Sequence, residues 1–348
     1  MKQAVHSLNP AAQRQHAVPT QAPRRLLPLA VKLALALALF LWMMSTGKLE
    51  LAQLRVFATD LPLTLGACAF WLAGPVLLAS LRWKLLLTAA GYRIGMARSV
   101  LLQLIGFFFT TVMPGSLGGD FIKVYYLIKD NPGKGKSTAL WAILLDRLIG
   151  MLGLFLVGAV FITPKLDALW QIVLLRPVIA LVYGYIVLCA VLMAALKLLK
   201  APAGAAHADG DSLPARLRAG FLACRVYRDR SRTLVLATLL STLSQGLSFL
   251  FFVALTARLT GAGAAWHALG AIFPLGMAIT TLPLSPGGLG VGHLAFDQLF
   301  TLVHLSGGAN VYNAYFVSQT LLNLTGVVAY LLNRPAGLAA PHAARTAH

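Results

Sequence analysis

The sequence predicts an all-α polytopic membrane protein of about six full transmembrane helices plus two re-entrant broken-helix hairpins, arranged as an inverted repeat. Composition is the first observation behind this. Of 348 residues, 58% are hydrophobic and 11% charged, with a mean hydropathy of +0.77, a balance that a soluble domain does not keep in solution. The second is an internal near-copy. T-T-V-M-P-G-S-L-G-G-D at 110–120 returns as T-T-L-P-L-S-P-G-G-L-G at 280–290, and backbone that leaves a helix at membrane depth must be buried in protein or line a watery cavity. The third is where the basic residues fall. A net charge of +19 in such a chain reads as cytoplasmic loops facing anionic lipid rather than as a nucleic-acid surface.

Taken in order, residues 1–25 form a basic tail without acids, expected to be disordered and cytoplasmic. The apolar run 26–44 is long enough for a first span. Residues 45–61 carry Lys48, Glu50, Arg55 and Asp60, which cancel and suit an external loop. A second span is predicted at about 62–81, followed by Arg82, Lys84, Arg93 and Arg98 in a cytoplasmic loop. The apolar segment 100–113 spans about 21 Å as a helix, short of the roughly 30 Å hydrocarbon core. It is therefore read as one arm of a hairpin that turns at P-G-S-L-G-G-D and returns through 121–128 to the basic residues Lys129, Lys134 and Lys136.

Spans follow at about 138–162 and 171–196, joined by a short loop in which Lys165 and Asp167 cancel. A cytoplasmic linker, 197–232, holds eight basic residues and three acids. A span at about 233–257 leads to the second broken segment, 266–305, which has no Lys or Arg and is read as a hairpin entering from outside, broken by Pro274 and Pro283; its 266–285 stretch is long enough to be an ordinary seventh span instead. The last span is expected at about 311–333, before a cytoplasmic tail at 334–348. The transmembrane domain is thus 26–333, in halves 26–196 and 233–333, with both termini cytoplasmic.

Candidate binding residues come from the two breaks and from charges at depth. Pro114, Gly115, Ser116, Gly118 and Gly119 free the backbone just before a helix resumes near Asp120, and a half-helix N-terminus in lipid is an anion site. Lys123 adds a positive charge one turn on, while the same glycines also serve close helix packing. Asp146 and Arg147 lie deep in their span and need polar partners. Arg147 is expected to face the hairpin and meet phosphate or Asp120, with Asp146 in the same network. In the second half, Pro286, Gly287, Gly288 and Gly290 mirror the first break, and His293 and Asp297 are four apart on one face, placed to pair. The polar stripe Ser241, Ser244, Gln245 and Ser248, and the pair Gln319 and Asn323, read as interhelical hydrogen bonds. Cys68, Cys189 and Cys224 have no metal or redox spacing. No metal, cofactor or catalytic residue is predicted: the chain lacks a phosphate-binding Gly-rich loop with Lys and Ser or Thr, H-E-x-x-H and G-x-S-x-G, and Glu50 is its single glutamate.

P-G-S-L-G-G-D at 114–120, L-D-R-L-I-G at 145–150 and S-P-G-G-L-G at 285–290 resemble the lysylphosphatidylglycerol synthase transmembrane-domain family, also called flippase-like, across about 26–333. The resemblance implies a multi-pass protein of the cell (inner) membrane that moves a lipid with a polar head between leaflets. The lipid would be a phospholipid, hopanoid or polyprenyl-phosphate-linked lipid. Family members often carry an Arg a few residues after the first Asp; here Lys123 is the nearest basic residue. No aminoacyl-transfer domain is present, so synthesis of lysyl-lipid is not expected. Anionic lipids at the basic loops and a lipid-synthesising enzyme are the partners implied. The alternative is a non-transporting scaffold for a lipid- or envelope-modifying enzyme.

Overall fold

Asp60 starts the first described span. Its carboxylate accepts the Leu63 backbone N–H at 3.0 Å, and Pro62 sits in the first turn, where a missing N–H leaves no bond unmade. The computed structural model describes residues 55–112, 118–198, 225–261, 265–281 and 290–333. The predicted first span at 26–44, both tails, most of the 197–232 linker and the two glycine turns at 113–117 and 282–289 lie outside these.

Among the described residues nine helices position the site: α1 Leu61–Ala89, α2 Met96–Val112, α3 Gly118–Asp130, α4 Lys136–Ile162, α5 Arg176–Leu198, α6 Ser231–Thr260, α7 Trp266–Thr281, α8 Val291–Leu302 and α9 Gly308–Leu332. A short helix, Leu166–Gln171, joins α4 to α5. Among the described residues there is no strand, and five helices are long and apolar enough to cross a membrane. The chain is an all-α polytopic membrane protein.

α1 runs eight residues past the predicted end at 81, so Arg82 and Lys84 lie in a helix rather than in a loop. Its middle, Leu72–Leu78, widens to a π-helix around Pro75, whose ring clashes with the preceding turn and which has no N–H to give. α2 and α3 are the arms of the first hairpin. Arg98 pairs with Asp130 at 2.7 Å, Lys123 reaches Gln103 at 3.1 Å, and a Cβ on Gly119 would sit 2.1 Å from the Gly106 carbonyl oxygen. That register is antiparallel, with the open end at Arg98–Asp130 and the arms joined through residues 113–117 at the other. Arms of 17 and 13 residues measure about 26 and 20 Å, too short to cross.

α7 and α8 make a second hairpin of 16 and 12 residues. Phe296 lies against Gly276, where a Cβ would come within 2.3 Å of the ring. Pro274 does not break α7 as expected. It stays inside the helix, buried, because its ring fills the space left by Gly158 of α4, where a Cβ would meet it at 2.6 Å.

The two hairpins open at opposite ends of the bundle. At one end, the Tyr92 hydroxyl donates to the Gly135 carbonyl at 2.8 Å, Arg98 reaches Asn333, and the Tyr227 hydroxyl donates to the Leu86 carbonyl at 2.9 Å. This basic end holds the open end of the first hairpin. At the other, Arg258 pairs with Asp60 at 3.1 Å and Gly307 lies against Thr260. α1 and α6, which precede the hairpins, pack antiparallel, with Phe70 on Phe251 at 4.9 Å and Arg82 on Ser241 at 3.1 Å. The first arm α2 packs on α9, and the first arm α7 packs on α4, so each hairpin leans on the span that follows the other. These are the contacts of an inverted repeat.

Candidate functional site

α4 brings two adjacent charges to two different neighbours, since consecutive helical residues point about 100° apart. Arg147 donates from Nε to Asp120 Oδ2 at 2.6 Å. Asp120 stands in the first turn of α3, and Lys123, one turn on, approaches its other oxygen at 3.3 Å. Lys123 is buried. Its ammonium donates to Gln103 Oε1 at 3.1 Å and lies 4.8 Å from the centre of the Trp83 ring. Asp120, Lys123 and Arg147 therefore form one cluster tying the hairpin to α4.

Asp146 is not in that network. It faces away and takes a two-pronged ion pair from Arg82 of α1, at 2.7 and 2.9 Å, while Arg82 also donates to Ser241 of α6 at 3.1 Å. Both partners are 11% exposed. The expectation failed because ending α1 at 81 removed the only cation in reach from the span.

Asp120 lies ten residues inside the Asp130 end of the hairpin, about 15 Å along a helix and so near half the hydrocarbon thickness. The cluster holds two cations for one carboxylate, a formal excess of one positive charge, and the intervening turn V-M-P-G-S-L-G has no acid to balance it. Arg147 is the accessible member, with 34% of its side chain exposed against 6% for Lys123.

Gly119 is explained by packing alone. Besides the Gly106 oxygen, a Cβ there would lie 2.2 Å from Thr110 Oγ1. Gly118 beside it is buried. Pro114, Gly115, Ser116, Pro286, Gly287 and Gly288 lie outside the described residues; Gly290 precedes α8 with φ +76°, a left-handed conformation that favours glycine.

The His293–Asp297 pair does not form. His293 Nε2 is 3.1 Å from Asn313 Oδ1 of α9 and its ring stands edge-on to Tyr312 at 5.0 Å, while Asp297, one turn on, is exposed. Gly292 dictates this: a Cβ would lie 2.2 Å from the Tyr312 ring, so α8 meets α9 closely and carries His293 into it. Among the interhelical hydrogen bonds expected, Asn323 accepts from the Trp71 indole at 3.0 Å and Ser241 takes part in the Arg82 network. Residues the sequence reading missed are Arg82, Gln103 and Trp83. The available signal for Arg82 was Asp146 itself, a carboxylate deep in a span with no adequate partner.

Among the described residues no group of His, Cys, Asp or Glu is placed to hold a metal ion. No curated protein and no solved structure matches the chain. A family described as "Lysylphosphatidylglycerol synthase TM region" matches residues 29–318, which takes in both hairpins and both ion-pair networks, and no synthase domain is matched beside it. The chain belongs to that family, and is a membrane protein related to lipid modification or transport.

Proposed function

We propose that this protein is a lipid flippase, moving a lipid with a phosphate-bearing head between leaflets. The observation that supports it is that the Asp120, Lys123 and Arg147 cluster sets two cations against one carboxylate about 15 Å inside the bundle. A net cation at that depth is unfavourable without an anion, and a lipid phosphate is the anion a bilayer supplies. Arg147, the exposed member, would take the phosphate oxygens, and the Asp120 carboxylate occupies beside it the position a phosphate oxygen would take. Lys123 holds Asp120 from the buried side. The second hairpin carries no Lys or Arg, and its His293 faces Asn313 of α9 instead, so the basic contact belongs to the first. Hairpins opening at opposite ends are the parts needed for alternating access, with the acyl tails remaining in lipid.

The basic loops at the open end of the first hairpin, with Arg93, Lys134, Arg228 and Arg230, support a cytoplasmic position for that end. Both termini would then be cytoplasmic and the membrane the inner one.

The test uses purified protein in liposomes carrying headgroup-labelled phosphatidylglycerol, with inner-leaflet label protected from a membrane-impermeant reductant. Wild type is expected to expose the protected pool, and Arg147→Ala to slow this at least tenfold with the protein still folded. Unchanged transport in Arg147→Ala removes the site assignment. Absence of transport in wild type, together with co-purification of a lipid-modifying enzyme, supports the scaffold reading instead.

A further inference from the structure

The second site is at the other end of α4. α4 spans 27 residues, about 40 Å, which equals the full thickness of a bilayer with its headgroups. Its far end therefore sits at the interface opposite the basic end. There the short helix Leu166–Gln171 folds back against α5 and borders an open cavity of about 450 Å³. Leu166, Ile179 and Ala180 give it an apolar floor, and Asp167, Trp170 and Tyr183 give it a carboxylate and two aromatic rings. Asp167 forms no ion pair among the described residues. Arg176, which is not in the lining but adjoins it through Trp170, donates through Nε to the Trp170 carbonyl at 2.8 Å and lies 6.0 Å from the centre of the Trp170 ring.

We infer that this cavity binds the headgroup of a zwitterionic aminophospholipid, with its ammonium between Asp167, Trp170 and Tyr183 and its phosphate on Arg176. The chemistry requires both charges. A carboxylate with two aromatic faces is suited to an organic ammonium, and the guanidinium nitrogens of Arg176 beyond its Nε are suited to phosphate. A lipid, rather than a soluble amine, is indicated by what lies below. From Ala180 the exposed face of α5 continues through Gly184, whose Cβ position is open, to Leu188 and Val191, exposed at 52% and 57%. That is an apolar track of about 16 Å for acyl chains, directly under a cavity that takes the head. Tyr183 is fixed for its part by a 2.7 Å hydrogen bond with Thr163.

The site needs no transport, so it stands or falls independently of the flippase reading. The probe is brominated phosphatidylethanolamine or brominated phosphatidylglycerol, titrated into bilayers of unlabelled lipid containing the full chain. Emission of Trp170 is isolated as the difference between wild type and Trp170→Phe. Phosphatidylethanolamine is expected to quench Trp170 at about threefold lower mole fraction than phosphatidylglycerol, the factor that one exposed cation–π contact supplies. Asp167→Asn, at an exposed position that leaves the fold intact, is expected to abolish the difference. Equal quenching by both lipids, a preference for phosphatidylglycerol, or a preference that survives Asp167→Asn overturns the assignment.

Discussion

Removing one partner of the Arg82–Asp146 pair strands the other charge inside the bundle: Arg82 keeps its bond to Ser241, while Asp146 loses both guanidinium bonds. Such a loss costs about 3 to 5 kcal/mol, whereas an apolar pair of similar volume is often tolerated. Arg82→Met and Asp146→Leu are each expected to lower the thermal midpoint of the purified protein strongly. The double variant is expected to recover most of the loss, and additive single effects would show that the two groups act separately. Gly119 makes a second prediction at this scale. Gly119→Val drives a side chain into Gly106 and Thr110, an overpacking of about 1 to 3 kcal/mol, and is expected to reduce folded yield measured by size-exclusion chromatography. Transport per folded molecule falls with it if the hairpin is the moving part. The pairing of Arg147 with Asp120 was legible in the sequence because both are charges that lipid does not tolerate alone. The partner of Asp146 was not, since hydropathy ended α1 just short of Arg82, and an arginine at a helix end looks like a loop residue until its carboxylate is found.

At the scale of elements, length decides more than composition. α2 and α7 are apolar enough to be taken for spans, yet at 17 and 16 residues they stop short and turn back. The first return was legible because the P-G-S-L-G break follows an arm too short to cross. The second was harder, since 266–285 is long enough to span and Pro274 looks like the breaker. Packing supports the hairpin: Pro274 is accommodated by Gly158 without a break, and Phe296 of the second arm lies against Gly276 of the first. Single cysteines in a background without Cys68, Cys189 and Cys224 check this by labelling. Gly133→Cys, at the open end of the first hairpin, is expected to react with a membrane-impermeant maleimide from the cytoplasmic face. Ser306→Cys, just beyond the second, is expected to react from the opposite face. Labelling of both from one face would mean that one of the segments crosses.

Over the whole molecule, the near-copy of P-G-x-L-G pointed to duplication, and the antiparallel packing of α1 on α6 is its three-dimensional counterpart. The sequence did not reveal that the halves exchange supports, α9 under the first hairpin and α4 under the second, because contacts between distant segments leave no periodic trace. Nor did it reveal that ion pairs gather at the first hairpin while His293 of the second meets Asn313 of α9; the motifs match, and only the flanking helices differ. α9 has a further property. It is interrupted at Thr325, whose N–H reaches back only to Leu322, and the part before this joint carries Tyr312 and Asn313 against α8, while Gly326 just after it lies against Leu104 of α2. A single jointed rod thus bears on both hairpins. If the chain is the flippase proposed above, that shared rod ties the two entrances to one another, and one is expected to close as the other opens.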